Sequence, residues 1–171
     1  MFQLFTDIQA RINSEIGVGH DKDIKFFHLW NDQAKTIQEG GEIVFNMPAV
    51  FIEFAEVNPE QLGNGVQIFN PLLIKVHILH NQLDTASGTL DQNADIFTIR
   101  ENIYKVLQMF KPAGAGSFIR TKEYPDYVHS NVYHWIQEYT TNYIDNAATP
   151  PKDPQNSPAP LELDLTVDNT P

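Results

Sequence analysis

The sequence contains no cysteine, and that absence removes several kinds of chemistry at once. Without cysteine the chain forms no disulfide, holds no metal through thiolates and uses no cysteine nucleophile. Basic residues are also scarce: 11 Lys and Arg stand against 22 Asp and Glu, for a formal net charge of −11. Because proteins that grip nucleic acid need a basic stripe to replace phosphate counterions, this balance argues against such a role.

Long apolar runs are missing as well. No stretch approaches the ~18 apolar residues of a membrane span. The N-terminal segment MFQLFTDIQARINSEIG carries charges inside its apolar pattern, which is unlike a signal peptide. We therefore expect a soluble protein with no membrane partner, and 171 residues of which 42% are hydrophobic suffice for one domain with a sizeable core.

The histidines do not predict a metal site. His77 and His80 are three positions apart on a predicted strand, so their side chains point to opposite faces. His129 and His134 fail the same parity test. Since a metal site needs several ligands converging on one ion, we expect no metal-binding residues.

Motifs for catalysis or nucleotide binding are also lacking. The Gly-x-Gly pairs at 17/19, 63/65 and 114/116 have no third glycine and no following Lys-Ser/Thr, so they are interpreted as turns. No G-x-S-x-G elbow is present. Glu53 and Glu56, on a strand that leads into a loop, are interpreted as solvated edge charges. We expect no catalytic residue, no cofactor and no enzymatic activity.

Apolar periodicity predicts two main helices. The first is amphipathic and ends at Gly17 and Gly19; its stripe comprises Phe2, Phe5, Ile8, Ile12 and Ile16. The second runs from about Asp91 to Phe110 and ends at the sequence KPAGAG; its stripe comprises Ile96, Ile99, Ile103, Val106, Leu107 and Phe110.

Alternating apolar residues predict the strands. Three lie between the helices, in DIKFFHLWND, in Ala49 to Phe54 and in Leu72 to His80, and two follow, from Phe118 to Lys122 and from Asn131 to Ile144. QAKTIQEGGE is expected to be a polar connection and Gly63-Asn64-Gly65 a loop. The order favours an α+β fold: a mostly antiparallel sheet with the two main helices packed on one face.

The chain changes character near its C-terminal end. Six of the eleven prolines lie between Pro150 and Pro171, and because proline fixes φ and lacks an amide donor, this stretch is a semi-rigid extended spacer. We predict a domain at 1–146 and an extended C-terminal arm at 147–171 that ends in a strand. One side of that strand is apolar and is expected to bury against a neighbour while its backbone extends a sheet; it comprises Leu161, Leu163, Leu165 and Val167.

Two further features suggest an assembly surface. The last predicted strand carries Tyr133, Trp135 and Tyr139 on one side; these rings either fill the core or form a subunit contact, in which Tyr and Trp are enriched. The loop at 113–127 gathers two of the few basic residues, Arg120 and Lys122. It is either a mobile hairpin or a grip on an acidic neighbour.

Three phrases and the order of the elements resemble the tail-terminator (tail-completion) proteins of tailed bacteriophages. The phrases are IKFFHLWNDQ at 24–33, FNMPAVFIEF at 45–54 and NVYHWIQEYTTNYID at 131–145, and the resemblance covers roughly residues 1–145. It implies a homo-oligomeric ring, commonly sixfold, that caps the tail tube and joins it to neck or connector proteins. The Pro-rich arm departs from the compact form of that family.

The resemblance also implies a location and a use for the charge. The protein would be assembled in the host cytoplasm and reside in the virion, and an acidic channel wall would let DNA pass without specific binding. Two alternatives stay open. The chain is another neck or head-tail connector component, or it is a monomeric ligand-binding or enzymatic α+β domain.

Overall fold

Three helices and six strands make up the part of the chain that the computed structural model describes, which is residues 1–38, 45–55, 58–81, 90–128 and 132–150. In chain order the elements are α1 (Phe2–Glu15), β1 (Phe26–Leu29), α2 (Gln33–Gln38), β2 (Ala49–Phe54), β3 (Glu60–Gly63), β4 (Val66–Asn81), α3 (Leu90–Leu107), β5 (Ile119–Asp126) and β6 (Val132–Asp145).

The strands form one mixed, mostly antiparallel sheet in the order β1-β2-β4-β6-β5, and β3 pairs with the start of β4. Only β1 and β2 run parallel among these pairs. The long β4 and β6 form the centre of the sheet, whereas β1 and β5 are the outer strands at opposite sides. The expected α+β architecture is confirmed.

Each face of the sheet has its own apolar cluster. The main cluster joins α1 and α3 to one face, where Ile8 and Ile103 pack with Ile74, Val76 and Tyr139. Both main helices therefore cover the same face, as the periodicity predicts. The opposite face carries a smaller cluster, which consists of Ala34, Ala49, Phe51, Leu79 and Val132; we call this side of the sheet the second face.

The helix predictions need two corrections. Phe2 is 79% exposed and Leu4 fills the predicted core position instead, because Leu4 lies four residues before Ile8 on the same side of α1. The connection expected at 33–42 contains the short helix α2. The Gln33 side chain accepts a hydrogen bond from the Asn31 amide and donates one to the Leu29 carbonyl, which stabilises the start of this helix.

The strand predictions were too short at β4 and β5. Pro71 lies inside β4, where the β4–β6 register shifts between Phe69 and Leu72. Such a bulge lets a strand continue past a proline. The Gly-x-Gly pair at 63/65, interpreted as a turn, flanks the two-residue turn of the β3–β4 hairpin, with positive φ at both Asn64 and Gly65, the conformation that an Asn-Gly turn favours.

The beginning of the arm lies against that hairpin. The Ala147 amide donates to Asp145 and the Thr149 amide donates to the Asn146 carbonyl. The Ala148 carbonyl approaches Gly65 so closely that a side chain at Gly65 would collide with it. Residues 147–150 are exposed, and the predicted terminal strand with Leu161, Leu163, Leu165 and Val167 lies outside the described residues.

Candidate assembly surface at the β5 edge

The loop predicted at 113–127 is in large part the edge strand β5. Among the described strands, β5 pairs only with β6. On the helix side, α3 runs beside it: Arg120 donates its amide to the Gln108 side chain, and Arg100 reaches Glu123. This edge therefore presents both an unpaired side of a strand and the flank of a helix.

Glu123 is the centre of a hydrogen-bond network at this edge. Its Oε1 accepts from Trp135 Nε1 at 2.8 Å and from Gln137 Nε2 at 3.1 Å. Arg100 Nη2 lies 2.9 Å from the same oxygen, and Arg120 Nη1 lies 2.7 Å from Oε2. One helix and two strands thus meet at one carboxylate, since these donors come from α3, β5 and β6.

Burial and hydrogen bonding act on Glu123 in opposite directions. Its partial burial works to raise the pKa of the carboxyl group. The hydrogen bonds from Gln137 and Arg100, with the charges of Arg100 and Arg120, outweigh that effect and hold the pKa of Glu123 below its ordinary value. The carboxylate is therefore stabilised in its charged form.

The two arginines also stack on aromatic rings. The guanidinium carbon of Arg100 lies 3.4 Å from the centroid of the Trp135 ring, and that of Arg120 lies 3.7 Å from the centroid of Tyr104. Trp135 stacks in turn on Tyr133, with ring centroids 6.0 Å apart. A guanidinium that is both ion-paired and stacked is held in one orientation.

The structure separates the aromatic residues predicted for assembly. Tyr139 is fully buried and donates its hydroxyl to Gln137, and this burial raises the pKa of Tyr139. It packs the core and offers no surface to another subunit. Tyr133 and Trp135 are half-buried at the rim of the main cluster, so each has a core side and an outer side.

The two predicted basic residues have partners within the chain. Arg120 pairs with Glu123, and its side chain is 26% exposed. Lys122 is 70% exposed, and its Nζ lies 3.8 Å from Glu138 on the second face. Lys122 is thus the more available of the two for another molecule.

Near this network lie exposed apolar residues that were not predicted from the sequence as site residues. Phe97 is 56% exposed and lies within 5.1 Å of the Arg100 guanidinium carbon, while Tyr127 and Val128 at the end of β5 are largely exposed. Phe97 falls outside the apolar stripe of α3, and that position was the available signal that its side chain faces outward. We call Phe97, Tyr127, Tyr133 and Trp135 the aromatic patch.

A separate polar cleft of about 260 Å³ is lined by residues that flank β1, by the end of β4 and by α3. Asp21, Lys22, Asp23, Lys25 and His80 line it, with both signs of charge. A site of this kind suits a small polar ligand better than an apolar one.

The described residues offer neither a metal centre nor a membrane span. Within the described residues no group of three His, Asp or Glu side chains is arranged to hold a metal ion. No helix of the same residues is both long and apolar enough to cross a membrane.

Comparison with known proteins finds no family model and no curated protein that matches the sequence.

Proposed function

We propose that this chain is a structural virion protein of a tailed bacteriophage, a tail terminator whose ring caps the tail tube and joins it to the neck. The carrying observation is that the three resembling phrases coincide with strands of one sheet. The phrase at 24–33 contains β1, that at 45–54 contains β2 and that at 131–145 contains β6. Each resembling phrase thus contributes a strand to the sheet of the domain.

The shape of the sheet supports assembly into a ring. Its outer strands, β1 and β5, lie at opposite sides, so contact between unlike edges of successive copies is heterologous. Heterologous contacts generate rings when the rotation between subunits closes. Sixfold closure is the form that the resemblance implies.

The β5 edge has the composition of a subunit contact. Trp, Tyr and Arg dominate the energetically important positions of protein interfaces, and the aromatic patch with Arg100 supplies all three types. Two of its members, Phe97 and Tyr127, are 56% and 85% exposed. Because the opposite edge of the next copy meets this patch in a ring, the patch is buried on assembly.

The acidic character of the chain fits a channel through which DNA moves. A net charge of −11 repels phosphate, so DNA passes without specific binding. The partners of the ring are then the tail-tube and neck or connector proteins, and the ring forms in the host cytoplasm before it enters the virion.

Electron microscopy of the purified full chain tests this proposal. We expect closed rings with a central channel, and a Phe97→Ser variant that folds but no longer forms them. Glu60→Gln, on the exposed strand β3, is the matched control that keeps the rings. Isolated particles of one chain, with no ring at any protein concentration, would rule out the proposal.

The cleft beside β1 favours a second candidate function from another class. Its mixed charges, among them Asp23 and Lys25, suit a small zwitterionic ligand bound by a monomeric domain. A thermal-shift screen of polar metabolites separates the ligand-binding function from the assembly function. If the cleft is the binding site, a Lys25→Ala change abolishes the stabilisation by the ligand. A neck or connector role is distinguished by whether the ring binds the end of a tail tube.

A further inference from the structure

Four ionisable side chains form a continuous chain across the second face of the sheet. His77 Nε2 lies 2.9 Å from Glu53 Oε2, and His77 Nδ1 lies 2.9 Å from His134 Nε2. His134 Nδ1 lies 3.2 Å from Asp126 Oδ2, a charge contact rather than an aligned hydrogen bond. One residue comes from each of β2, β4, β6 and β5, and we call the set the histidine chain.

The strand register explains how these residues meet. Asp126 lies directly opposite His134, while His77 lies opposite Ile136, two residues further along β6. His77 and His134 are therefore diagonal neighbours on one face, within the reach of long side chains. The interpretation of Glu53 as a solvated edge charge is wrong, since it pairs with both His77 and Lys75.

The two imidazoles are closed off from water. His77 is 3% exposed and His134 is 2% exposed. The Trp30 ring stacks on His77 with centroids 4.0 Å apart and an interplanar angle of 4°, and it also lies 5.2 Å from His134. A buried polar group that lacks a hydrogen-bond partner is costly. The positions of the protons within the histidine chain are therefore restricted to those that satisfy its contacts.

Counting protons sets the charge of the pair when both carboxylates are ionised. Three contacts link the four residues, and each is favourable only if one proton lies between its two atoms. Two neutral imidazoles carry two ring protons, whereas one neutral and one charged imidazole carry three. With both imidazoles neutral, a nitrogen lone pair would face either a carboxylate or another lone pair. With both charged, two N–H groups would face each other at 2.9 Å.

We propose that His77 and His134 form a buried proton-binding site that holds one extra proton between the carboxylates of Glu53 and Asp126. In this arrangement His77 is neutral, donates from Nε2 to Glu53 and accepts at Nδ1. His134 is the cation, which donates from Nε2 to His77 and faces Asp126 with its Nδ1–H. The positive charges of His134 and of Lys75, which pairs with Glu53, then balance the two carboxylates.

The groups around the site agree with this assignment. Burial lowers the pKa of His77, and this effect outweighs the hydrogen bond and charge of Glu53 and the charge of Asp126, while Lys75 lowers the pKa further. The lowered pKa agrees with a neutral His77. The Tyr124 hydroxyl on β5 donates to Glu138 on β6 at 2.8 Å, so this further carboxylate of the second face already has a donor.

The site makes the packing of the sheet depend on pH, whether or not the chain assembles into an oligomeric ring. It joins four adjacent strands and lies under Trp30, which also contacts Phe51 of the second cluster. Loss of the proton would turn one attractive contact into a repulsive one, and gain of a second proton would do the same between the imidazoles. The packing of these four strands beneath Trp30 therefore depends on one proton.

Nitrogen NMR of the histidine rings in the full chain tests the proposal directly. At about pH 7, close to the ordinary histidine pKa of about 6.5, we expect three of the four ring nitrogens of the pair to be protonated. Contacts with Trp30 identify the two rings, and the exposed His20 and His28 are references in the same sample. Two or four protonated nitrogens at that pH would overturn the assignment.

A carboxylate substitution provides the second measurement. Asp126→Asn removes the charge beside His134, so the number of protonated nitrogens should fall from three to two at about pH 7. Glu60→Gln, which removes an exposed carboxylate on β3, should leave it at three. An unchanged number in Asp126→Asn contradicts the proposal; if that variant fails to fold, the number in the unsubstituted chain decides.

Discussion

The guanidinium carbon of Arg100 lies over the Trp135 indole, 3.4 Å from the centroid of the ring. The same arginine pairs with Glu123, which also accepts the indole N–H. The three side chains fix α3 to the outer half of the sheet. They also orient the aromatic patch. Folding therefore depends on the inner contacts of these side chains, whereas assembly depends on the outer surface of the patch.

Substitutions in the aromatic patch separate these two roles. Phe97→Ser changes an exposed side chain, so the free energy of unfolding should change by no more than about 0.5 kcal/mol while assembly is lost. Trp135→Ser removes the ring under Arg100 and the donor to Glu123, and should lower stability by about 3 kcal/mol. Denaturant unfolding and the mass of the assembly measure both. Normal assembly of Phe97→Ser would show that the patch is not a contact.

Glu123→Gln tests the network beneath the patch. It leaves Arg100 and Arg120 without their shared anion, and because the group is partly exposed we expect a loss of about 2 kcal/mol. Glu101→Gln, which breaks the exposed pair with Lys105, is the matched control and should cost about 0.3–0.5 kcal/mol. Equal losses in the two variants would contradict the central position of Glu123.

The network also predicts a response to acid. The folded-state pKa of Glu123 is lowered, so its contribution to stability is present above the unfolded-state pKa of about 4.3. That contribution is lost as the pH falls through the lower folded-state pKa. The difference in unfolding free energy between the unsubstituted chain and Glu123→Gln should therefore shrink below about pH 4.

Two glycines of the β3–β4 hairpin form a matched pair that tests the start of the arm. Gly65 and Gly63 both have positive φ, but only a side chain at Gly65 would meet Ala148. Gly63→Ala should cost about 1 kcal/mol through backbone strain. Gly65→Ala should cost more and displace residues 147–150, seen as faster amide exchange at Thr149. Equal effects would mean that the arm does not rest on the hairpin.

Deletion of residues 147–171 tests the arm itself. At ~3.1 Å per residue the spacer at 147–160 spans about 40 Å, enough to reach a neighbouring subunit. The truncated domain should remain folded and lose affinity for its neighbours, since a tethered strand binds at high effective concentration. Unfolding on truncation would assign the terminal strand to its own sheet, and normal assembly would make the arm passive.

Local patterns predicted much of the fold from the sequence. The stripes of α1 and α3 and the alternation in β2, β4 and β6 follow from burial of one side of each element. The sequence also predicts the turn at Asn64-Gly65, because that dipeptide favours a tight hairpin, but not that the hairpin it closes belongs to the sheet. Helix α2 was missed because side-chain hydrogen bonds of Gln33, rather than a long apolar stripe, stabilise its start.

The sites depend on relationships between elements, which local patterns do not contain. Parity along one strand excluded a shared site for His77 and His80, but His77 meets His134 only because β4 and β6 are neighbours in a particular register. Likewise, Arg100 reaches Trp135 because α3 lies over β6. The sequence indicates Trp135 through its chemistry but does not identify the partners on its inner side.

Native mass spectrometry of the full chain at several protein concentrations tests the central claim most directly. A ring predicts one dominant closed species, with a mass six times that of the 19.4 kDa chain, and no series of open intermediates. Phe97→Ser should shift that species to single chains. A mass of 19.4 kDa for the unsubstituted chain at every concentration would contradict the account.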